Sequence, residues 1–169
     1  MKIISLSLIC FFMFGLLCLP SVEAQRGKKP KLAKICGDPT KTCKTSTQFE
    51  PNDLPFEVAE NAVIWETEKF YAVILKSFKV NDEECETKFV SEDERLATQE
   101  LFPNNKVFTN RCPEPTFLFY DPIDYHVRFM GVYGGKTKVE AAKVLEKVKA
   151  TGQFSGAYIK QLRAGFNGT

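Results

Sequence analysis

The sequence predicts an α+β domain of the split βαβ (ferredoxin-like or RNP-like) type, in which a four-stranded antiparallel sheet carries two helices on one face. Two observations predict this fold class. A strand, helix and strand pattern occurs twice in tandem, within residues 70–110 and 125–162, and each helix begins with a capping box. Right-handed crossovers then place both units in one sheet, so a single sheet layer covered by a single helix layer is expected.

Residues 1–24 are predicted to be a secretory signal peptide. Lys2 supplies a positive n-region, residues 3–19 are almost wholly apolar, and Ala24 provides a small residue at the expected cleavage position. An uncleaved anchor and a lipoprotein signal at Cys18 are the alternatives, and the second is disfavoured because the residue before that cysteine is not small. Export to the periplasm or the extracellular space is expected, without stable membrane insertion after cleavage.

Residues 25–61 are predicted to be a basic tail followed by an irregular extension. The net charge of +2 conceals an uneven distribution, because residues 25–49 sum to +6, residues 50–101 to −9 and residues 102–169 to +5. The start of the tail, QRGKKPKLAK, has few groups to bury, so residues before about Ile35 are expected to be disordered. We favour the interpretation that this tail is a solvated leader over the alternative that it tethers the protein electrostatically to anionic envelope polymers or lipid.

Four cysteines follow the signal peptide and are predicted to form two disulfides that pin the extension and the domain. Cys36 is predicted to pair with Cys43, because the two bracket a Gly-Asp-Pro turn, and Cys85 with Cys112, because both are expected at one edge of the sheet. A zinc site is the alternative, but the spacing lacks a CxxC pair and His126 is the only histidine. No metal and no cofactor are expected.

The first strand, helix and strand unit opens with a strand at residues 70–78, after a weaker strand signal at residues 62–65. Alternation divides its side chains into two sets, one of Tyr71, Val73 and Leu75 and the other of Ala72, Ile74 and Lys76. Ser91 and Glu94 form the capping box of the helix. The apolar stripe expected to face the sheet consists of Leu96, Ala97 and Leu101. Residues 106–110 supply the second strand.

The second unit repeats this order with clearer signals. In the strand at residues 125–129, alternation assigns Tyr125, Val127 and Phe129 to the helix-covered face of the sheet. Thr137 and Glu140 form the second capping box. The buried stripe of the helix is predicted to be Ala141, Val144, Leu145 and Val148. Residues 156–162 supply the last strand.

The strand FYAVILKSF and the segment YHVRFMGVYGGKTKVEAAKVLEKVKATGQFSGAYI together resemble a SPOR domain, the sporulation-related repeat of bacterial envelope proteins. The resemblance covers about residues 69–162 and places a SPOR-like domain in residues 62–169. Its best matches in type and order are Tyr125, Val127, Arg128, Gly131, Tyr133, Glu140 and Ala141. The sequence departs from the family at Ile74 and Lys76, where the family usually has Gln and Gly.

The resemblance implies a noncatalytic module that binds peptidoglycan glycan strands, or another envelope polymer, on the open face of its sheet. Alternation assigns Lys76, His126 and Arg128 to that face, with Tyr158 or Lys160 added from the edge strand. Their side chains are hydrogen-bond donors suited to sugar oxygens. The alternatives are an exposed His126 without a ligand and an Arg128 engaged in a cross-strand salt bridge.

A second function class is a secreted, disulfide-stapled module that binds or inhibits a protein, such as an envelope protein. An enzyme is not predicted. His126 has no catalytic partner of the Ser-His or Cys-His kind, and the acidic run of Glu83, Glu84 and Glu86 is typical of a solvated loop. Nucleic acid is not an expected partner either, because Ile74 and Arg128 are not the aromatic pair that an RNA-binding sheet of this type requires.

Overall fold

The computed structural model describes residues 31–35, 56–57, 64–85, 87–111 and 118–167. Along these residues the chain forms β1 (Lys31–Ile35), β2 (Phe56–Glu57), β3 (Ile64–Thr67), β4 (Phe70–Lys79), α1 (Glu92–Leu101), β5 (Val107–Thr109), β6 (Leu118–Asp121), β7 (Val127–Gly135), α2 (Lys138–Ala150) and β8 (Tyr158–Asn167). The predicted signal peptide, Cys36, Cys43 and Cys112 lie outside the described residues. No helix in the described ranges is long and apolar enough to cross a membrane.

Six strands, β3 to β8, build a curled antiparallel sheet that forms a half-barrel. Its main order is β5-β7-β4-β8-β6. The N-terminal half of β8 pairs with β4, and β3 pairs with the C-terminal half of β8. β8 is long enough to serve several neighbours: Leu162 pairs with Phe70 of β4, while Gly165 pairs with Glu66 of β3 and with Phe119 of β6. β1 extends the sheet beyond β3 in a parallel pairing, and β2 pairs with β1.

Aromatic rings fill the inside of the curl. Phe108 of β5 and Tyr120 of β6 lie at opposite ends of the strand order, yet their ring centroids are 5.6 Å apart. Phe129 of β7 stands edge-on between them, 5.7 Å from Phe108 and 5.3 Å from Tyr120. We call this cluster the inner core; its other buried members are Trp65, Phe70, Ala72, Ile74, Leu162 and Ala164. Such ring pairs contribute about 0.5–1.5 kcal/mol each beyond the area they bury.

The other face of the sheet forms a second core under α2. Val144 and Val148 of α2 pack on a cluster that includes Val73, Met130 and Val132 of the sheet. The capping box predicted for this helix is confirmed: Thr137 Oγ1 accepts from Glu140 N, and the Glu140 carboxylate accepts from Thr137 N. The backbone and side-chain hydrogen bonds from Thr137 hold the pKa of Glu140 below its ordinary value.

The expected four-stranded sheet with both helices on one face is wrong. Two strands were missed or misplaced: β6 was not predicted, and β3 joins the sheet through β8. β8 also continues five residues beyond the expected end at position 162. These additions let the sheet curl until its edges share one aromatic cluster, so the second face is closed by its own side chains.

The predicted apolar stripe of α1 is also wrong. Leu96 and Leu101 are 46% and 42% exposed, and Ala97 is exposed as well. The buried residues of this helix are instead Arg95 and Thr98. Sequence periodicity therefore assigned the wrong face of α1 to the interior.

The position of α1 at the β5 edge explains this reversal. Arg95 Nη1 donates to the Val107 carbonyl at 3.1 Å, and Gln99 Oε1 accepts from Val107 N at 2.8 Å. Gln99 Nε2 also donates to the carbonyls of Phe102 and Asn105. An edge strand presents unpaired backbone groups, and polar side chains satisfy them better than leucines would. The helix caps the edge and does not cover a sheet face.

The expectation that residues before about Ile35 are disordered is wrong for β1. Lys31 pairs with Trp65 and Ala33 with Thr67 in a parallel ladder. Backbone pairing to the edge of β3 needs no apolar side chains, so the basic composition did not reveal it. Cys85 is the one cysteine in the described ranges, and Cys36, Cys43 and Cys112 lie outside them, so both predicted pairings stay predictions.

We predict that Gln99→Leu lowers the free energy of unfolding by about 1–3 kcal/mol, because it leaves Val107 N and two carbonyls without their partner. Urea unfolding measures the change. Gln153→Leu is the matched control, since Gln153 is exposed in a turn. Equal losses in the two variants would contradict the edge-capping role of Gln99.

Gly134→Ala should also destabilise the fold, by about 1–3 kcal/mol, because an added Cβ overpacks the contact between β7 and α2. That Cβ would lie 2.8 Å from Ala141 Cβ and 3.1 Å from the Tyr71 carbonyl oxygen. Gly156→Ala, where nothing lies within 4 Å, serves as the control and should stay close to wild type. Thermal unfolding of both variants measures the difference. A Gly134→Ala protein that unfolds at the wild-type temperature would contradict the prediction and show that α2 can shift to accommodate the methyl group.

Candidate functional site

A polar cluster lies where β4 ends and β7 begins. Lys79 pairs with Val127, and Val80 N donates to the His126 carbonyl at 2.8 Å just beyond the ladder. The segments that follow β4 and precede β7 are therefore held side by side. Asp82 comes from the first segment, and Asp124, Tyr125 and His126 come from the second.

The imidazole of His126 lies between two carboxylates. Its Nε2 is 3.0 Å from Asp82 Oδ1, and its Nδ1 is 3.3 Å from Asp124 Oδ1. Tyr125 Oη donates to Asp82 Oδ1 at 3.0 Å, and the centroids of the Tyr125 and His126 rings are 3.6 Å apart. A neutral imidazole has one N–H and can donate to one carboxylate, whereas the protonated ring can donate to both.

The electrostatics of the cluster favour an ionised Asp82. The hydrogen bond with His126, and after it the one from Tyr125, holds the pKa of Asp82 below its ordinary value of 3.8. The same bond to Asp82 raises the pKa of Tyr125 above its ordinary value of 10.0. Because the side chain of Asp82 is 81% exposed, water and salt screen its charge and these interactions stay modest.

The cluster forms one wall of a shallow, open depression of about 430 Å³. We call it the His126 depression; it is lined by Lys79, Val80, Asn81, Asp82, Asp124, His126 and Val127. Its volume lies in the range of small-molecule sites, about 300–1,000 Å³, although it encloses less of a ligand than a deep cleft does. Tyr125 is not among these lining residues, but it is 51% exposed and its ring contacts that of His126.

Of the five residues predicted to bind glycan, His126 is the one found in this depression. Lys76 was assigned to the open face, and this assignment is wrong because β4 has an irregularity between Ile74 and Lys76. Ile74 pairs with Gly131 and Lys76 with Met130, so Leu75 is an extra residue that shifts the alternation. Lys76 then reaches α1, where its Nζ is 2.9 Å from Glu94 Oε1.

Arg128 was also assigned to the open face, and it is fully buried instead. Its Nη1 donates to the Tyr125 carbonyl at 2.7 Å, and its Nη2 lies 2.8 Å from Cys85 Sγ. Burial lowers the pKa of this guanidinium. Arg128 thus supports the segment that carries Tyr125 and His126 from beneath. The described residues show no cross-strand salt bridge for Arg128, the alternative that the sequence left open.

Tyr158 and Lys160 lie on β8, opposite Ile74 and Ala72 of β4. The five residues from Ile74 to Lys79 span about 17 Å of strand, at about 3.3 Å per residue. The structure therefore does not bring Tyr158 or Lys160 to the His126 depression. The face on which all five residues were expected is closed, since Ala72 and Ile74 are buried in the inner core.

Sequence reasoning missed Asp82, Asp124 and the role of Tyr125. It assigned Tyr125 to the helix-covered face and treated the acidic run after β4 as a solvated loop. A signal was available: both polar segments adjoin ends of strands that an antiparallel pairing brings together. The exact pairing register, which places the turn containing Asp82 beside His126, was the missing information.

The cluster offers hydrogen-bond acceptors, an imidazole and an aromatic ring to a polar ligand. Among the residues that the structure describes, no group of three or more His, Cys, Asp or Glu side chains is placed to hold a metal ion. No protein-family model, curated protein or solved structure matches this chain. The resemblance to SPOR domains therefore stays an expectation from the sequence.

Asp82 should titrate below 3.8, because its ionised form is the hydrogen-bonded one. The stability it contributes is then present above its unfolded-state pKa and is lost as the pH falls through the lower folded-state pKa. NMR titration of the Asp82 carboxyl carbon measures this value. His126→Gln should raise it towards 3.8 more than Tyr125→Phe does, since the bond with His126 has the larger effect. A wild-type pKa at or above 3.8 would contradict the geometry.

Proposed function

We propose that this protein is an exported, noncatalytic module that binds glycan strands of peptidoglycan through the His126 depression. The observation that carries the proposal is His126 held between Asp82 and Asp124 beside the exposed ring of Tyr125. The predicted signal peptide supports export, and the resemblance to SPOR domains supports the choice of glycan.

The chemistry of the depression suits a sugar chain. Sugars present hydroxyl donors and apolar C–H faces, and they bind to fixed polar groups next to aromatic rings. Asp82 and Asp124 supply acceptors for hydroxyl groups, and the Tyr125 ring supplies a surface for a C–H face. The bonds of Asp82 with Tyr125 and His126 favour one arrangement of these groups before a ligand arrives, which reduces the entropic cost of binding.

Weak binding is expected from a site of this shape. A shallow depression provides a handful of hydrogen bonds, each worth about 0.5–1.5 kcal/mol net. Association also costs translational and rotational freedom, so a dissociation constant in the micromolar range or weaker follows. The proposed site differs in place from the one that the resemblance implied, because the sheet face is occupied by the inner core.

Sedimentation with purified sacculi, before and after amidase removal of the stem peptides, tests this function. We expect both preparations to deplete the wild-type protein at low salt, with stronger depletion by the amidase-treated sacculi. His126→Ala should weaken binding by about twofold to tenfold, the equivalent of one lost hydrogen bond. Tyr125→Ala should weaken it similarly through loss of the ring.

Tyr158→Ala is the matched control, because Tyr158 is also an exposed tyrosine but lies away from the depression. It should bind like wild type. Failure of both sacculus preparations to deplete the wild-type protein would refute glycan binding. Binding that Tyr158→Ala abolishes and His126→Ala leaves intact would show that glycan binds elsewhere on the molecule.

A protein-binding module is the second candidate function. The specific observation in its favour is the outward face of α1, where Leu96 and Leu101 are exposed. Exposed apolar side chains grouped on one helix face mark interaction surfaces more often than isolated ones do.

A further inference from the structure

The outward face of α1 is apolar and acidic. It consists of positions 93, 96, 97, 100 and 101, which follow the spacing of one helical face, and all five are exposed. Leu96, Ala97 and Leu101 are its apolar members, and Asp93 and Glu100 are its acids. Within the described residues neither acid has an ion pair, whereas Glu92 binds Arg95 and Glu94 binds Lys76.

The outward face of α2 has the opposite charge. Its most exposed apolar side chain is Val139, at 69%. Four lysines along the helix are exposed and form no ion pair with the described residues: Lys138, Lys143, Lys147 and Lys149. Of the two acids of this helix, Glu140 is engaged in the capping box, which leaves Glu146. The face is therefore basic along most of its length, with the exposed apolar side chain of Val139 at its N-terminal end.

We propose that these two faces form one interface between two copies of the chain, with α1 of one copy packed on α2 of the other. Within a single chain the two faces do not cover each other, since both are exposed. Both faces have exposed apolar side chains that can pack against each other, and their charged side chains are of opposite sign. Electrostatic complementarity of this kind selects the partner and its orientation.

Because each copy carries both faces, the contact can form twice and close a two-fold dimer. Two short helices per copy bury a small area, so the dimer is weak and depends on salt. This interface involves none of the residues that line the His126 depression and does not rest on glycan binding.

Sedimentation velocity of the full secreted chain over a range of concentrations tests the proposal. Wild type should associate reversibly at low salt, and its association constant should fall by about fivefold or more at about 0.5 M salt, where charges are screened beyond about 4 Å. A wild-type chain that remains monomeric at every concentration at low salt would overturn the proposal.

Two charge-reversed variants make the test specific. Asp93→Lys with Glu100→Lys turns the α1 face basic, and Lys143→Glu with Lys147→Glu turns the α2 face acidic. Each variant alone should be monomeric, because its two faces then carry the same sign. An equimolar mixture should associate again, because each face of one variant meets an opposite face of the other. Circular dichroism of each variant checks that the fold is retained.

Association that returns when the two variants are mixed shows that the substitutions changed the interface and not the fold, because a misfolded chain would not associate again. Association that persists in both variants would place the contact on another surface and refute the proposal. If reversal of α1 abolishes association and reversal of α2 does not, α1 binds a different basic segment of the second copy, which overturns the assignment of α2.

Discussion

The contact between Phe108, Phe129 and Tyr120 is the interaction on which the rest of the structure depends. It joins strands from opposite ends of the sheet order, with Phe129 edge-on to both neighbours at interplanar angles of 90° and 86°. A flat sheet would leave these rings in water. By curling, the sheet buries them without a second layer, and the face that a split βαβ domain leaves open becomes an interior.

The curl determines which parts of the sheet stay accessible to solvent. With one face closed by the inner core and the other packed against α2, the sheet presents polar groups such as Asp82 and His126 at the ends of its strands. Arg128 connects this rim to the interior, since its guanidinium contacts both the Tyr125 carbonyl and Cys85. The backbone of the segment that carries Tyr125 and His126 is therefore held by a buried side chain.

The edge of the same sheet decides the role of α1. β5 is short and pairs on one side with β7, so the backbone of Val107 needs partners on the other side. Arg95 and Gln99 supply them, and the cost is that the leucines of α1 face water. Burying Arg95 is tolerated because Glu92 and the Val107 carbonyl accept its hydrogens. The outward leucines then become a surface available for a partner.

The sequence by itself determined the features that depend on near neighbours in the chain. The N-cap and buried stripe of α2 were predictable, because both follow from spacings of three and four residues. The alternation of β4 held from Ala72 to Ile74. The tertiary structure decided the rest: the bulge at Leu75, the curl, the edge position of α1, and the meeting of Asp82 with His126 across 44 residues of chain. Each of these features depends on which strand lies alongside and in which register. Such long-range pairing does not change the spacing of apolar and polar residues within a segment, so the segment's own sequence does not reveal it.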